Sequence, residues 1–213
     1  MELGAVDGIT YSNTKFFQDE LGWNGLLIEP STDFAYLKNG ISKYSTTSAD
    51  AGNFMGLRCL PEKKVYCVNK AICRKPGVVD FVDAAKSIEG NLVGGGKDSL
   101  TAAHKQAFHI SNETTYQVEC LPMATLFQQY GIKRIDLFSL DVEGAEEIVL
   151  DTIDWTIPIY VIVIESHDYN SPTGLEGHER KHRILMEKGF QFLMYHMYDE
   201  WWVNPANEQT FIY

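Results

Sequence analysis

The feature that most constrains the fold is a series of short apolar runs separated by segments with helical periodicity. Four runs have this character: GLLIEP at 25–30, VYCV at 65–68, IDLFSL at 135–140 and IYVIVI at 159–164. Apolar runs of this length, without polar alternation, are typical of strands buried on both faces. Because helical patterns lie between them, the sequence predicts an α/β fold with a doubly wound, mostly parallel sheet, whose ligands bind at the carboxyl ends of the strands.

Two segments depart from this alternation. FQFLMYHMYDEWWVNP, near the end, contains two β-rich stretches around Asp199 and Glu200, which predicts a hairpin and an antiparallel edge strand. Residues 71–118 are the least regular, with a short strand at VVDFVD and a glycine-rich loop at NLVGGGKDS. We expect an irregular insertion there, either a mobile lid or a plain surface loop. At 213 residues, the chain is expected to form a single domain over 1–213.

The composition narrows the classes of partner. A formal net charge of −11 disfavours nucleic acid and anionic membranes, since an acidic chain gains nothing from phosphate contacts. No apolar run is long enough to span a bilayer, and no signal peptide is recognised at the start. The four cysteines lack C-x-x-C spacing, so reduced thiols in a soluble, cytoplasmic protein are expected. The sequence does not indicate an oligomeric state.

The first residues have the pattern of a ligand-binding loop that leads into a helix. Gly4 and Gly8 allow close backbone approach, but their spacing is G-x-x-x-G and not the G-x-G-x-x-G of dinucleotide-binding proteins. Glu29 ends the next strand, about 20 residues after the loop, where a carboxylate accepts hydrogen bonds from ribose hydroxyls. The glycine loop and the carboxylate of Glu29 together fit either a nicotinamide or an adenosyl cofactor.

The acidic residues of the loop favour the adenosyl cofactor. Glu2 and Asp7 would repel a pyrophosphate, whereas S-adenosylmethionine carries a sulfonium and an ammonium group that carboxylates attract. We therefore predict S-adenosylmethionine as the cofactor. The predicted cofactor-binding residues are Glu2, Gly4, Ala5, Asp7, Gly8, Ser12, Asn13, Thr14, Glu29 and Asp141.

Titratable residues follow the strands predicted at IDLFSL and IYVIVI. Asp141 and Glu143 follow the first of these two strands, and Glu165, His167 and Asp168 follow the second, so all should meet at the rim that holds the glycine loop. We predict His167 as a general base, with Asp141 and Glu143 as the other catalytic residues. Binding of a divalent cation by this cluster is the less favoured alternative. The predicted substrate-binding residues are Glu143, Glu165, Asp168 and His196.

GAVDGITYSNTKFFQDELGWNGLLIEP, IDLFSLDVEGAEEIVL and VIVIES together resemble the FkbM family of S-adenosylmethionine-dependent methyltransferases, over nearly the whole chain. The resemblance implies strand order 3-2-1-4-5-7-6 with strand 7 antiparallel. It also implies methylation of a hydroxyl on a small-molecule acceptor, such as a carbohydrate. By motif position, Glu2, Gly4, Gly8 and Glu29 would line the cofactor site, and Asp141 and Glu143 would face the methyl group. Since only Met1 and Leu3 supply apolar residues before the loop, a shortened first strand is expected.

Two rival functions stay open on the sequence. One is a non-catalytic binding domain on a methyltransferase scaffold, and the other, less favoured, is a nicotinamide-dependent oxidoreductase. HERKH at 178–182 also matches the H-E-x-x-H zinc signature. We interpret it as a surface helix with no metal, because Arg180, Lys181 and Arg183 would oppose a dication and no third ligand follows at helical spacing.

Overall fold

The computed structural model describes residues 1–41, 57–84, 94–96, 113–166 and 172–207. The strands are β1 (Glu2–Leu3), β2 (Gly25–Ile28), β3 (Val65–Val68), β4 (Ala71–Ile72), β5 (Gly77–Ala84), β6 (Gly94–Gly96), β7 (Glu113–Leu121), β8 (Ile135–Leu140), β9 (Ile159–Glu165), β10 (Gln191–His196) and β11 (Asp199–Val203). The helices are α1 (Lys15–Asp19), α2 (Phe34–Asn39), α3 (Met123–Gln129), α4 (Glu146–Thr152) and α5 (Pro172–Glu187). Short 3-10 turns cover Pro61–Lys63 and Pro205–Asn207.

Seven strands form one sheet in the order β10-β11-β9-β8-β1-β2-β3. Strands β3, β2, β1, β8 and β9 are mutually parallel, and β11 runs antiparallel to both β9 and β10. Numbered within this sheet alone, the order is 3-2-1-4-5-7-6. The predicted doubly wound sheet and the strand order implied by the resemblance are therefore confirmed.

The predicted carboxy-terminal hairpin and antiparallel edge are confirmed, since β10 and β11 pair at one edge of the sheet. The turn of the hairpin is at Met197 and Tyr198, and β11 pairs with β9 in the interior of the sheet, so that β10 becomes the edge. The side chains of β10 are exposed, whereas Glu200 and Trp202 on β11 are buried. The antiparallel strand is thus held between two neighbours and places its first residues beside the end of β9.

Apolar cores cover both faces of the seven-stranded sheet. Leu26 and Ile28 belong to a core completed by α3, α4 and α5, whereas Leu27 belongs to a second core that includes Leu37 of α2. Successive residues of a strand point to opposite faces, so this division places helices on both sides. None of the helices in the described part of the chain is long and apolar enough to cross a bilayer.

The segment predicted as an irregular insertion over 71–118 forms a second sheet wherever it is described. Its order is β4-β7-β5-β6, with β5 antiparallel to both β7 and β6. The glycine run Gly94–Gly96, expected to be a loop, is the short strand β6. Residues 85–93 and 97–112 lie outside the described residues, so a lid there stays a prediction.

The prediction of reduced thiols is wrong, because all four cysteines form disulfides. Cys59 pairs with Cys67 of β3, and Cys73 pairs with Cys120 of β7. Their Cα atoms are 5.5 and 5.6 Å apart, within the range that a disulfide spans. The second bridge joins residues 47 positions apart, a pairing that spacing along the chain cannot reveal.

Candidate active site

The glycine loop starts at the centre of the sheet. Strand β1 has only two residues, yet it pairs with β2 on one side and β8 on the other. Gly4 follows at φ +82°, and a Cβ there would lie 1.7 Å from the carbonyl oxygen of Asp141. Glycine is therefore required for the end of β1 to pack against the end of β8, which brings the loop to the rim of the sheet.

A buried network around Glu2 fixes the start of α1. Its carboxylate accepts hydrogen bonds from Ser12 Oγ at 2.8 Å, Asn13 N at 3.1 Å and Thr14 Oγ1 at 2.7 Å. The Arg58 guanidinium lies 3.9 Å from the same carboxylate. Burial raises the pKa of Glu2, while the charge of Arg58 and the hydroxyl bonds oppose that shift. The predicted residues Glu2, Ser12, Asn13 and Thr14 thus shape the loop by bonding to one another.

Arg58 ties this network to the glycine loop. It donates to Gly8 O, to Ser12 Oγ at 3.0 Å and to Gln18 Oε1 at 2.6 Å. Its side chain is almost fully buried, and burial lowers its pKa while the carboxylates of Glu2 and others oppose the shift. The cation therefore holds together the loop, the start of α1 and the β1 carboxylate.

Asp7 and Ala5 form the inner side of the loop. Asp7 is fully buried, and its Oδ1 accepts from Ile9 N at 2.9 Å and Thr10 N at 2.8 Å. This is the arrangement of an Asx turn, which stabilises the loop locally. Ala5 is packed in the second core and donates its N–H to Ile28 O at 3.1 Å. The structure thus brings both residues to the predicted loop.

Glu29 lies where the sequence predicts it, directly after β2 and against the glycine loop. Its Oε2 accepts from Val6 N and its Oε1 from Ser31 N, each at 2.7 Å. Burial raises its pKa to about 7, although these hydrogen bonds favour the charged form. The Ser31 side chain also hydrogen-bonds to Glu29. A carboxylate has about four acceptor sites, so roughly one remains for a donor such as a ribose hydroxyl.

The acidic residues after β8 and β9 converge. Asp141, Glu143 and Glu165 each offer a carboxylate oxygen within 4.8 Å of the others. Burial raises the pKa of Asp141 well above its usual range, and the charge of Glu143 adds to this shift. Burial raises the pKa of Glu165 in the same way, and there the charge of Asp141 adds to the shift. The closeness of the Asp141 and Glu165 carboxyls fits a shared proton. The group can attract an organic cation or supply oxygen ligands to a divalent metal.

Backbone geometry holds Glu143 over this rim. It has φ +53°, an uncommon conformation for a residue other than glycine. The loop is held by Glu146, whose Oε1 accepts from Val142 N at 3.3 Å and Gly144 N at 3.1 Å. Glu146 therefore supports the turn from the first residue of α4.

Three predicted site residues remain, of which two lie outside the described residues and one lies on the exposed edge strand. His167 and Asp168 are among the residues that the structure does not describe, so their roles stay predictions. Ser166, just before them, is buried, and its Oγ has no hydrogen-bond partner among the described residues. His196 is exposed at the end of β10, opposite Asp199 in the strand register. The buried hydroxyl of Ser166 is therefore an additional polar group at this rim that a ligand could bind.

The interpretation of HERKH as a plain surface helix is wrong for its histidines. His178 is buried, and His182 Nε2 lies 2.7 Å from Oε2 of Glu200. The third member of this cluster, the carboxylate of Glu200, comes from β11 and not from further along the helix, which is why helical spacing did not indicate it. Burial acts to raise the pKa of Glu200, but hydrogen bonds from His178 and Trp202 and the charge of His182 outweigh it and lower the pKa to about 2.

Sequence reasoning missed three residues that the structure brings to these sites: Arg58, Ser166 and Glu200. Arg58 stands far from any motif, and its role depends on contacts with residues 40 or more positions away. Ser166 adjoins the VIVIES motif and could have been included with it. Glu200 could have been found only by predicting the register of β11 against β9.

The comparisons with known proteins agree with this architecture. The family described as "Methyltransferase FkbM domain" matches residues 2–192. A comparison with curated proteins and with solved structures gives no significant match. The matched range includes the glycine loop, Glu29 and the converging carboxylates, and it covers most of the 213 residues. The chain belongs to the FkbM methyltransferase family.

Proposed function

We propose that this protein transfers the methyl group of S-adenosylmethionine to a hydroxyl of a small-molecule acceptor, for which a carbohydrate is our first candidate. The observation that carries the proposal is the convergence of Asp141, Glu143 and Glu165 beside the Gly4–Gly8 loop, at the rim where an open α/β sheet binds ligands. Family membership supports the methyl-transfer chemistry.

The charges at the rim fit the proposed cofactor. When bound, S-adenosylmethionine supplies an electrophilic methyl group on a positively charged sulfur. The raised pKa values of Asp141 and Glu165 indicate carboxyls crowded together without enough positive charge, and a cationic ligand relieves that crowding. We assign the carboxylate of Glu29, directly after β2, to the ribose of the cofactor. A pyrophosphate would bring more negative charge to the same rim, which disfavours a nicotinamide cofactor.

The short first strand is compatible with an intact site. Strand β1 keeps its central position, and Gly4, Glu2 and Arg58 hold the loop through buried contacts. This favours a catalytic domain over the alternative of a binding domain that has lost its cofactor pocket.

The proposed chemistry of the chain is orientation and proton removal. Asp141 and Glu143 orient the acceptor hydroxyl at the ends of β8 and the following turn. His167 takes the hydroxyl proton, a contribution of typically ~10²–10⁴-fold in rate. Holding acceptor and donor in line supplies much of the remaining acceleration. Glu165, Asp168 and His196 are the proposed contacts for the rest of the acceptor.

The disulfides bear on where the protein works. Disulfides persist in oxidising compartments and are rare in the reducing cytosol. The pairs Cys59–Cys67 and Cys73–Cys120 therefore favour an oxidising compartment over the cytoplasmic location predicted from the sequence.

Thermal stability with added ligands tests the proposed cofactor. S-Adenosylhomocysteine should raise the melting temperature in a concentration-dependent manner, since a ligand that binds the folded state stabilises it. NAD should have no effect. A shift with NAD alone would favour an oxidoreductase, and no shift with either would favour a non-catalytic domain.

The proposed base is tested separately with a panel of hydroxylated acceptors and a labelled methyl donor. His167→Ala should lower kcat by about 10²-fold or more while leaving cofactor affinity nearly unchanged. Wild-type turnover in this variant would eliminate His167 as the base and leave Asp141 or Glu143 as the next candidate.

A further inference from the structure

A second cluster of ligating groups lies on the face of the sheet that carries α5. His178 and His182 are four residues apart on α5 and therefore share one side of the helix. Glu200 of β11 reaches the same point, and one ligating atom of each residue lies within 4.8 Å of the others. We propose that His178, His182 and Glu200 bind a transition-metal dication, of which Zn²⁺ fits best.

The distances suit a shared ion. His182 Nε2 is 2.7 Å from Glu200 Oε2, and His178 Nδ1 is 3.6 Å from Glu200 Oε1. Ligands of a tetrahedral zinc ion with bonds of 2.0–2.1 Å are about 3.3 Å apart. The two distances lie on either side of that value, so small side-chain rotations bring the three groups into coordination.

The chemistry of the donors selects among metals. Two imidazoles and one carboxylate are the ligands of a zinc site with an open fourth position, whereas Mg²⁺ and Ca²⁺ prefer oxygen donors alone. His182 is partly exposed, with 30% of its side chain accessible, which gives water access to that fourth position. The ion would join α5 to β11 across the core.

A supporting residue already orients the carboxylate. Trp202 Nε1 donates to Glu200 Oε2 at 3.0 Å, and the Trp202 and His182 rings have centroids 5.0 Å apart. Partners of this kind fix metal ligands in place. The same indole and carboxylate are buried, so the site lies on a rigid part of the fold.

The neighbouring cations are directed elsewhere, which removes the objection raised by the sequence. Lys181 Nζ donates to the carbonyl oxygen of Glu165 at 3.1 Å. Arg180 forms ion pairs with Glu147 at 3.1 Å and Asp151 at 3.0 Å, and Arg183 is exposed. Glu179 is exposed as well, and we assign no hydrolytic reaction to the ion.

Metal titration of the full chain tests the site. Protein stripped with a chelator and then titrated with Zn²⁺ against a chromophoric competitor should bind one ion tightly. His178→Ala/His182→Ala should lose that ion, and Glu200→Gln should weaken it at least tenfold. His196→Ala is the matched control, because His196 is an exposed histidine outside the cluster, and it should bind zinc as the wild type does.

Two further measurements start from the wild-type protein, so a variant that fails to fold does not decide the test alone. Co²⁺ added to the wild-type protein should give the visible absorption of a four-coordinate site with nitrogen ligands. Zn²⁺ at a hundredfold excess over Kd should raise the melting temperature of the wild type by roughly 5–10 °C, and His182→Gln should abolish that rise. Equal zinc binding by wild type and double variant, or a Co²⁺ spectrum typical of oxygen ligands alone, would overturn the proposal.

Discussion

Asp141 follows β8 and Glu165 ends the neighbouring parallel strand β9, and a carboxylate oxygen of each lies within 4.8 Å of the other at the rim of the sheet. Burial and mutual repulsion raise the pKa of both groups well above their usual range. Since two adjacent carboxylates resist carrying two charges, the pair holds a proton at a pH where isolated carboxyls are ionised.

Cofactor binding should release protons from this pair. A bound sulfonium and ammonium favour the ionised carboxylates and so lower their pKa. It follows that S-adenosylmethionine binds more tightly as the pH rises above the range in which isolated carboxyls ionise. Calorimetry in two buffers of different ionisation enthalpy should show this release. S-Adenosylhomocysteine, which lacks the sulfonium charge, should release fewer protons. Equal proton release with both ligands would mean that Asp141 and Glu165 do not face the sulfonium.

Glu29→Ala should weaken S-adenosylhomocysteine binding by about 1.5–3 kcal/mol, because it removes a charged acceptor of a ribose hydroxyl bond. Titration calorimetry measures the change. Glu62→Ala is the control, because Glu62 is exposed in a 3-10 turn. Since Glu29 also accepts from Val6 N and Ser31 N, the melting temperature of each variant should be recorded. Unchanged affinity in a folded Glu29→Ala variant would remove Glu29 from the cofactor site.

Arg58→Ala should destabilise the fold by about 3–5 kcal/mol, because it leaves the buried carboxylate of Glu2 without its cation. Chemical denaturation measures the free energy of unfolding. Arg134→Ala is the matched control: its ion pair with Asp136 is partly exposed, so its loss should change stability by less than about 1 kcal/mol. If both variants lose the same stability, Arg58 does not hold the loop.

The two disulfides should contribute unequally to stability. The chain-entropy relation gives about 4 kcal/mol for the bridge Cys73–Cys120, whose cysteines are 47 residues apart, and about 2.5 kcal/mol for Cys59–Cys67, 8 residues apart. Unfolding of the variants Cys73→Ser/Cys120→Ser and Cys59→Ser/Cys67→Ser measures both values. Mass spectrometry of the unreduced wild type should find no free thiol. Four free thiols in protein purified under oxidising conditions would contradict the assignment.

The sequence predicts the sheet well because strands that are buried on both faces have recognisable apolar runs. IDLFSL and IYVIVI are predominantly apolar, and the acidic residues at their ends meet at one rim because the strands are parallel. It predicts pairings between distant segments poorly. The bridge from Cys73 to Cys120 and the approach of Glu200 to α5 depend on strand register, which no local pattern encodes.

The site residues also divide into those whose place the sequence predicts and those whose contacts it does not. Gly4 and Glu29 are tied to strand ends and could be placed from the sequence alone. The contacts of Asp7 and Glu2 could not, because a carboxylate in a loop can face a ligand or bond to its own backbone. In the structure Asp7 bonds within the loop, and Glu2 bonds to Ser12 and Thr14.

Titration calorimetry of the wild-type protein with S-adenosylmethionine tests the central claim most directly. The account predicts one site per chain with a Kd in the micromolar range, about −8 kcal/mol, and no heat with NAD. Binding of NAD, or no binding of S-adenosylmethionine by folded protein, would contradict it.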